Sequence, residues 1–412
     1  MRLGFGLGSV RIERRNSAPL PSLYLGQVAT KIRIPTSRST TNKQANSRTH
    51  HFARDHITAL KIELPNWYWV RSTAGPETNG GGNITYKASI EYPAGVFTQV
   101  TFSGATSAIV ASGASVLSDF VNVNIPKGAS FWVRVYAVAA TAIVFTDGNA
   151  GFPQRDDANG EAYAYAASGV SDLTMGGTIT SNIVGGADPI FCPSAIVAQT
   201  RNPSVLIIGD SRDWGFNDLY DASGDLGDLA RSIGPAFGYI NVAGSGDKFS
   251  AFISVSAKRR ALAQYCSHVV IGDAINALRS GGSGQNKTAA AVLAELQTVL
   301  GFFPDKRCFT TTLGGPNTTS TDNWATVENQ TVNANSAQII AYNDAIRAGV
   351  PGCIGYFEIA DQVESARNSG KWRVNGNPNG FTLDGLHTGQ AGYLAIKNSG
   401  AIDTTRFSRA GL

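Results

Sequence analysis

The chain has little of what builds metal, disulfide or membrane proteins. Its 412 residues contain only four cysteines and five histidines, and the cysteines form no C-x-x-C pair. This spacing argues against zinc and thioredoxin-like sites and favours buried reduced thiols. No apolar run approaches the ~18 residues of a membrane helix. We therefore expect no membrane span and no metal or other cofactor.

A secretory signal is not expected either. Residues 1–10 are rich in glycine and have no apolar stretch of about 7–15 residues, which such a signal needs. We expect synthesis in the cytoplasm. A role outside the cell would then require another route, such as cell lysis or release as part of a particle.

Charge is scarce and unevenly placed. Charged residues make up 16% of the chain, yet residues 1–55 hold ten Lys and Arg against two acidic residues. A basic leader can bind nucleic acid or an acidic protein surface. Its aromatic residues are too sparse to stack on bases, so nucleic acid is not expected. Residues 1–20 are interpreted as an arm that cannot fold alone, held by a partner protein or a neighbouring subunit. Homo-oligomerisation stays open.

Residues 21–200 are predicted to contain an all-β domain and the segment that connects it to the rest of the chain. Short runs rich in Val, Ile, Thr and aromatic residues alternate with Gly, Pro and Asn turns, which is typical of a sandwich or jelly roll. The predicted strands are 28–34, 58–64, 85–91, 98–102, 121–125, 131–138 and 142–146. The aromatic cluster Trp67-Tyr68-Trp69 is either a sugar-stacking platform or a packed strand, and we favour the strand.

Residues 201–412 predict an α/β domain. Five apolar runs read as buried strands: 205–208, 239–242, 268–271, 308–312 and 354–357. Helical patterns lie between them, at 288–300, 337–348 and 389–397. This alternation predicts a doubly wound parallel sheet with helices on both faces. Ligands of such sheets bind beyond the carboxyl ends of the strands, and Ser211 directly follows the first predicted strand.

Three residues of this second domain carry the chemistry of an activated hydroxyl. Ser211 stands in a Gly-Asp-Ser turn, while Asp384 and His387 form a D-x-x-H sequence far downstream. A serine hydroxyl needs a base within hydrogen-bond reach and a group that orients the base. The D-x-x-H spacing fits one tight loop, so the backbone can hold both side chains close together. We predict Ser211 as the nucleophile, His387 as the base and Asp384 as the orienting acid.

This order and spacing resemble the SGNH (GDSL-type) hydrolase family over roughly residues 205–397. The family's oxyanion hole uses the N–H of the nucleophile, a glycine N–H and an asparagine side chain. The Ser-Gly-Asp sequence at 245–247 is similar to the family's second block, so the resemblance implies Gly246 as the glycine donor. Gly244 is the alternative.

The asparagine block departs from the family pattern. The family shows G-x-N-D after its third strand, but Ala274 stands where the asparagine belongs. Asn276 would supply the amide if the loop is two residues longer. Asp273 would occupy the position under another register, where an ionised carboxylate would repel an oxyanion. The resemblance therefore implies Gly246 and Asn276 as oxyanion donors, with Asp273 left open.

Two functions follow from these patterns. The first is a serine esterase; the resemblance implies carbohydrate or lipid esters, and the β domain favours O-acetyl groups on glycans. The second is a glycan-binding or structural module whose oxyanion hole has degenerated. The lack of a signal, the basic arm and the β domain resemble phage tail or virion proteins that carry such hydrolase domains. Both functions are compatible with a location in a virion.

Overall fold

The computed structural model describes residue 1 and residues 20–70, 75–147, 155–182, 189–220, 224–272 and 274–410. Residues 2–19 of the predicted arm lie outside this set, so the arm and its partner stay predictions. The fold is a mixed α/β fold. Within the described residues, no helix has both the length and the hydropathy that a membrane span requires.

The strands are listed first because they define the sheets. In chain order they are β1 Tyr24–Gln27, β2 Ile32–Arg33, β3 Ser37–Ser39, β4 Gln44–Phe52, β5 Ile57–Pro65, β6 Trp67–Trp69, β7 Glu77–Asn79, β8 Ile84–Glu91, β9 Phe97–Gln99, β10 Ala108–Val110, β11 Ser115–Leu117, β12 Val121–Ile125, β13 Ser130–Ala139, β14 Ile143–Phe145, β15 Ala162–Ala166, β16 Ala195–Thr200, β17 Ser204–Ile208, β18 Gly238–Asn241, β19 His268–Ile271, β20 Arg307–Thr311, β21 Thr318–Ser320, β22 Gln330–Val332 and β23 Gly355–Phe357.

The helices occur after β17. They are α1 Ala230–Ile233, α2 Phe249–Val255, α3 Ala257–Ala261, α4 Ile275–Leu278, α5 Ala289–Leu300, α6 Ser336–Ala348, α7 Ala360–Val363 and α8 Gln390–Ser399. The three helices that the sequence predicts correspond to α5, α6 and α8, and each differs from its prediction by at most two residues at either end.

Two antiparallel sheets are built mainly from the first 200 residues. One has the order β1-β16-β5-β11, with β12 also paired to β5; the other has the order β10-β8-β13-β4-β15, with β9 beside β8. Alternate residues of β5, β8 and β13 contribute to a single hydrophobic cluster, as the two-residue period of a strand requires. The jelly-roll topology stays a prediction.

Strand β4 lies inside the second sheet, although its sequence QANSRTHHF gives no apolar pattern. Most of its residues are buried because their polar groups have partners. Ser47 Oγ donates to the Phe191 carbonyl at 2.7 Å, and His51 Nδ1 lies 2.7 Å from the Thr30 carbonyl. Because these polar groups are hydrogen-bonded, the strand can be buried, and its hydropathy pattern does not predict this burial.

A six-stranded sheet with the order β2-β18-β17-β19-β20-β23 forms the second part of the molecule, and all its pairings are parallel. Side chains of β17 alternate between two cores: Leu206 and Ile208 join the larger cluster, and Val205 and Ile207 the smaller. Helices α2, α4, α5 and α6 contribute to the larger cluster, whereas α1, α7 and α8 contribute to the smaller. Both faces of the sheet are therefore covered.

The edge strand β2 crosses the division that the sequence predicts at residue 200. Ile32 pairs with Ile240 of β18, so one strand of the parallel sheet comes from the predicted β domain. The single predicted strand 28–34 is wrong: the chain forms β1, turns through Lys31 at a φ of 61°, and continues as β2. The short segment 24–33 thus pairs with both parts of the molecule.

The aromatic cluster at β6 is buried rather than displayed. Trp67 is 2% exposed and Trp69 is fully buried, so the sugar-platform interpretation is wrong for both rings. A Cβ atom at Gly244, in the loop after β18, would overlap the Trp69 ring. Trp69 therefore packs directly beneath a loop to which the sequence assigns a functional residue.

Candidate active site

Three residues that the sequence places far apart meet at the end of the parallel sheet. Ser211 Oγ lies 2.8 Å from His387 Nε2, and His387 Nδ1 lies 2.6 Å from Asp384 Oδ2. The other carboxylate oxygen of Asp384 accepts hydrogen bonds from the backbone N–H groups of Leu386 and His387, at 2.9 and 2.8 Å. Three contacts within one tight loop thus fix the Asp384 carboxylate relative to the His387 imidazole.

Glycine shapes the turn that carries Ser211. Strand β17 ends at Ile208, and a Cβ atom at Gly209 would overlap the carboxylate of Asp213. The same carboxylate would overlap a Cβ atom at Gly272, after β19. Because both glycines leave room for the Asp213 side chain, the chain can turn sharply beneath Ser211.

The D-x-x-H loop is held by its own backbone. Gly385 has a φ of 74°, which favours glycine, and a Cβ atom there would overlap the Thr318 carbonyl. The Gly385 carbonyl accepts hydrogen bonds from the Thr318 N–H and from Trp372 Nε1, both at 2.9 Å. Thr382 Oγ1 accepts from the Gly385 N–H and donates to the His387 carbonyl. The loop is therefore preorganised without any contribution from a ligand.

The imidazole is also positioned by an aromatic ring. The ring centroids of Phe216 and His387 are 4.0 Å apart, and the rings are inclined by 29°. The Phe216 N–H donates to the Ser211 carbonyl at 2.9 Å, so the residue that stacks on the imidazole is also attached to the turn that carries Ser211.

Arg212 joins the two halves of the site, and nothing in the sequence pattern singles it out. Its side chain is buried and donates to the carbonyls of Leu386 and Gly315, at 2.9 and 2.8 Å. Its backbone N–H donates to Asp210 Oδ1 at 2.9 Å. The residue next to the serine thus holds the loop that brings the histidine.

Three buried carboxyl groups surround Arg212, and its single charge cannot stabilise three ionised acids. Burial raises the pKa of Asp210, although the Arg212 charge opposes the rise. Burial raises the pKa of Asp213 further, and the neighbouring Asp228 and Asp210 add to this rise. Burial also raises the pKa of Asp228, to about 8. The cluster therefore holds protons at neutral pH.

The Asp228 carboxyl predicts a pH-dependent stability. Its ordinary pKa is 3.8, so the unfolded chain releases a proton that the folded chain keeps up to about pH 8. The contribution of Asp228 to the free energy of unfolding is therefore most favourable below about pH 4, and it falls as the pH rises towards 8. Asp228→Asn cannot ionise and should flatten the dependence, by up to ~1.4 kcal/mol for each pH unit. Urea unfolding of both proteins at pH 5 and pH 8 measures this difference, and equal slopes would contradict it.

The pKa of Asp384 is shifted in the opposite direction, downwards. Burial raises the pKa of Asp384, but the hydrogen bond and charge of His387, with two backbone N–H groups, lower it more. The net pKa lies below the ordinary value of 3.8. Asp384 is therefore ionised at neutral pH and can hold the His387 Nδ1–H.

Asn276 lies in the first turn of α4, and its amide has a defined orientation. Nδ2 donates to the Asp247 carbonyl at 3.1 Å, and Oδ1 accepts from Arg279 Nε at 3.3 Å. These contacts leave one Nδ2 hydrogen without an acceptor in the described part of the chain. Asp273, the alternative that the sequence leaves open, lies outside the described residues.

The glycine loop lies between the serine turn and Asn276. The Gly244 N–H donates to the Gly209 carbonyl at 3.2 Å, which ties this loop to the serine turn. Gly246 has a φ of 77°. Among the contacts of the described residues, neither the Gly246 N–H nor the Ser211 N–H has an acceptor. The structure thus brings Ser211, His387 and Asp384 into direct contact, while the oxyanion roles of Gly246 and Asn276 stay predictions.

Other titratable groups do not extend the site. Within the described residues, no group of three or more His, Cys, Asp or Glu side chains could hold a metal ion. The four cysteines are free, as the sequence predicts, and three of them are buried.

Comparison with known proteins gives structural likeness only. No family model and no curated protein matches the chain. Similar solved structures include GDSL-like lipases and carbohydrate esterases. A family two carbohydrate esterase from Clostridium thermocellum is 10% identical, with a TM-score of 0.32 over 94% of this chain and 100% of that one.

Two further structures are similar to the same degree. A peptidoglycan O-acetylesterase is 11% identical, with a TM-score of 0.36 over 97% of this chain and 79% of that one. A carbohydrate esterase family 2 enzyme from Corynascus thermopiles is 13% identical, with a TM-score of 0.33 over 93% and 98%. Since all three TM-scores are below 0.5, the functional proposal rests on the contacts of the site itself. The phage-tail resemblance finds no counterpart among these structures.

Proposed function

We propose that the chain is a serine esterase of the SGNH type, which removes small acyl groups, most simply acetyl, from carbohydrate. The observation that carries this proposal is the continuous contact from Ser211 Oγ through the His387 imidazole to the ionised Asp384. These three groups are the parts that an acyl-transferring serine needs, in the required order.

The reaction begins at the Ser211 hydroxyl. Its oxygen attacks the ester carbonyl carbon while His387 Nε2 takes its proton, and Asp384 stabilises the imidazolium through Nδ1–H. The tetrahedral intermediate collapses when the imidazolium protonates the leaving sugar oxygen. Water, deprotonated by the same imidazole, then attacks the acyl carbon. The second tetrahedral intermediate expels Ser211 Oγ, which takes the proton back from the imidazolium as the acid leaves.

Three donors are available for the oxyanion that forms in both steps. We assign them as the Ser211 N–H, the Gly246 N–H and the second hydrogen of Asn276 Nδ2, because none of these has an acceptor among the described contacts. The Gly244 N–H is already engaged with the Gly209 carbonyl, which favours Gly246 over the alternative. Arg279 fixes the orientation of the Asn276 amide by donating to its oxygen.

The size of the acyl group follows from the access to the nucleophile. Ser211 is only 4% exposed, and the rings of His387 and Phe216 stack beside it. A short acyl chain reaches such a hydroxyl more easily than a long one.

The test uses p-nitrophenyl acetate and acetylated xylan, with release of nitrophenol and acetate as the measurements. Wild-type protein should hydrolyse both. Asn276→Ala should lower kcat by about 10²-fold with little change in KM, because it removes one oxyanion donor. A loss below about tenfold would move that role to another residue.

A binding or structural role is the competing outcome of this test. If wild-type protein hydrolyses neither ester faster than Ser211→Ala, the esterase proposal is contradicted, and the chain is a glycan-binding or virion structural protein. A location in a phage tail also remains a proposal, with the predicted arm, residues 1–20, as the segment that would contact a partner.

A further inference from the structure

One aromatic ring on the antiparallel part of the molecule is displayed rather than buried. Phe120 lies between β11 and β12 and is 46% exposed. The Lys61 ammonium is 4.7 Å from the centre of its ring, so a cation–π contact fixes the ring in place. An exposed aromatic ring that is held in place offers a flat apolar surface to a ligand.

The segment that carries Phe120 is rigid. The Asp119 N–H donates to the Thr101 carbonyl at 2.8 Å, and Asp119 Oδ2 accepts from Thr101 Oγ1 and the Gly104 N–H, also at 2.8 Å. Ser118 Oγ accepts from the Ile62 N–H at 3.0 Å. The ring is therefore preorganised, and binding on it would cost little conformational entropy.

A surface depression of about 360 Å³ lies beside this ring. Asn122 is paired with Ala59, and β16 pairs Val197 with Lys61, which puts Gln199 on the other side of Ala59. The methyl group of Ala59 thus forms a low floor between two exposed amide side chains. The full lining consists of His56, Thr58, Ala59, Phe120, Asn122, Ala198 and Gln199.

We propose that this depression, formed by Phe120, Ala59, Asn122 and Gln199, is a second glycan-binding site, which holds an uncharged sugar chain. A sugar ring presents C–H groups on its face and hydroxyl groups around its rim. The aromatic ring and the methyl floor suit the face, and the two amides can donate to and accept from the hydroxyls. The lining offers amide, hydroxyl and imidazole groups but no guanidinium, and the one ammonium nearby, that of Lys61, is held against the Phe120 ring. Most of the polar partners therefore suit the hydroxyl groups of a neutral glycan.

The site would act by raising the local concentration of substrate. It shares no residue with the triad, so it cannot take part in the chemistry. A polymer held at one point is presented to Ser211 at a higher effective concentration, which lowers KM for the polymer and leaves kcat unchanged. The choice of a glycan as ligand rests on the proposed function, but binding itself can be measured without catalysis.

The experiment measures the affinity of Ser211→Ala protein for unacetylated xylan and glucomannan, with polygalacturonate as the acidic comparison. Adding Phe120→Ala should weaken binding of a neutral glycan about tenfold or more, as loss of an aromatic anchor does. Ile109→Ala removes a 71% exposed apolar side chain from β10 and serves as the matched control, with no expected effect. In the active protein, Phe120→Ala should raise KM for acetylated xylan and leave p-nitrophenyl acetate hydrolysis unchanged.

Three results would overturn this proposal: no measurable binding of either neutral glycan, equal affinity with and without Phe120, or tighter binding of polygalacturonate. These outcomes are separate from the esterase test. Phe120-dependent glycan binding by a protein that hydrolyses no ester would support the second site and contradict the proposed function. Hydrolysis of p-nitrophenyl acetate without glycan binding would support the proposed esterase function and contradict the second site.

Discussion

Ser211→Ala should lower the rate of p-nitrophenyl acetate hydrolysis by at least about 10³-fold. The substitution removes the oxygen that contacts His387 Nε2 and leaves the imidazole, its acid and the surrounding loops in place. Because Ser211 is almost fully buried, the lost hydroxyl is not replaced by another side chain. Kinetic parameters from initial rates, on protein whose unfolding midpoint matches the wild type, provide the measurement.

Controls separate catalysis by the triad from a general effect on the protein. Ser254→Ala, which removes an exposed hydroxyl from α2, should keep the wild-type rate. His387→Gln should reduce the rate about as much as Ser211→Ala, and the double variant should be no slower, because residues that act as one unit are not additive. Independent, multiplicative losses would mean that the two side chains do not act together.

Arg212→Ala should destabilise the fold by about 3–5 kcal/mol, the range for breaking a buried ionic network by removing one partner. The substitution leaves the carbonyls of Leu386 and Gly315 without their donor and leaves Asp210 without its nearest compensating charge. Urea unfolding monitored by tryptophan fluorescence measures the loss.

The matched control for this prediction is an arginine on the surface. Arg367→Ala removes a 61% exposed side chain that pairs with Asp361, and it should leave the unfolding midpoint nearly unchanged. Arg212→Lys keeps the charge but not the fork of donors, so it should recover only part of the stability. If Arg212→Ala has the same urea midpoint of unfolding as the wild type, the prediction is contradicted, and the contacts of Arg212 between the serine turn and the histidine loop do not stabilise the fold.

The regular elements of the α/β part follow closely from the sequence. All five of its predicted strands and all three helices appear within about two residues of their expected ends, because buried strands and amphipathic helices have strong hydropathy patterns. The approach of Ser211, Asp384 and His387 was predicted in the same way, from a strand end and a spacing that fits one loop.

Other features have no local signal. The polar strand β4 is buried because it forms hydrogen bonds to residues distant in the sequence. Strand β2 joins the parallel sheet by pairing with residues about 200 positions away. Arg212 resembles any other charged residue in the sequence, and only folding brings the carbonyls of two loops, at Gly315-Pro316 and Leu386, to its side chain. Partners of this kind are set by tertiary structure, which no periodicity encodes.

The aromatic residues illustrate the same limit. Trp67-Tyr68-Trp69 is the most conspicuous aromatic sequence, yet Trp69 is buried and packs against Gly244. Phe120, which is isolated in the sequence, is the ring that is exposed. Exposure depends on which face of a strand meets the core, and β6 is too short for its pattern to decide this.

Covalent labelling of the nucleophile tests the central claim most directly. A fluorophosphonate ester should add to the wild-type protein once, on Ser211, as intact mass and peptide mapping would show, and His387→Gln should slow the addition by at least about 10²-fold because the hydroxyl loses its base. Labelling at another residue, or an equal rate in His387→Gln, would contradict the claim that the imidazole activates Ser211.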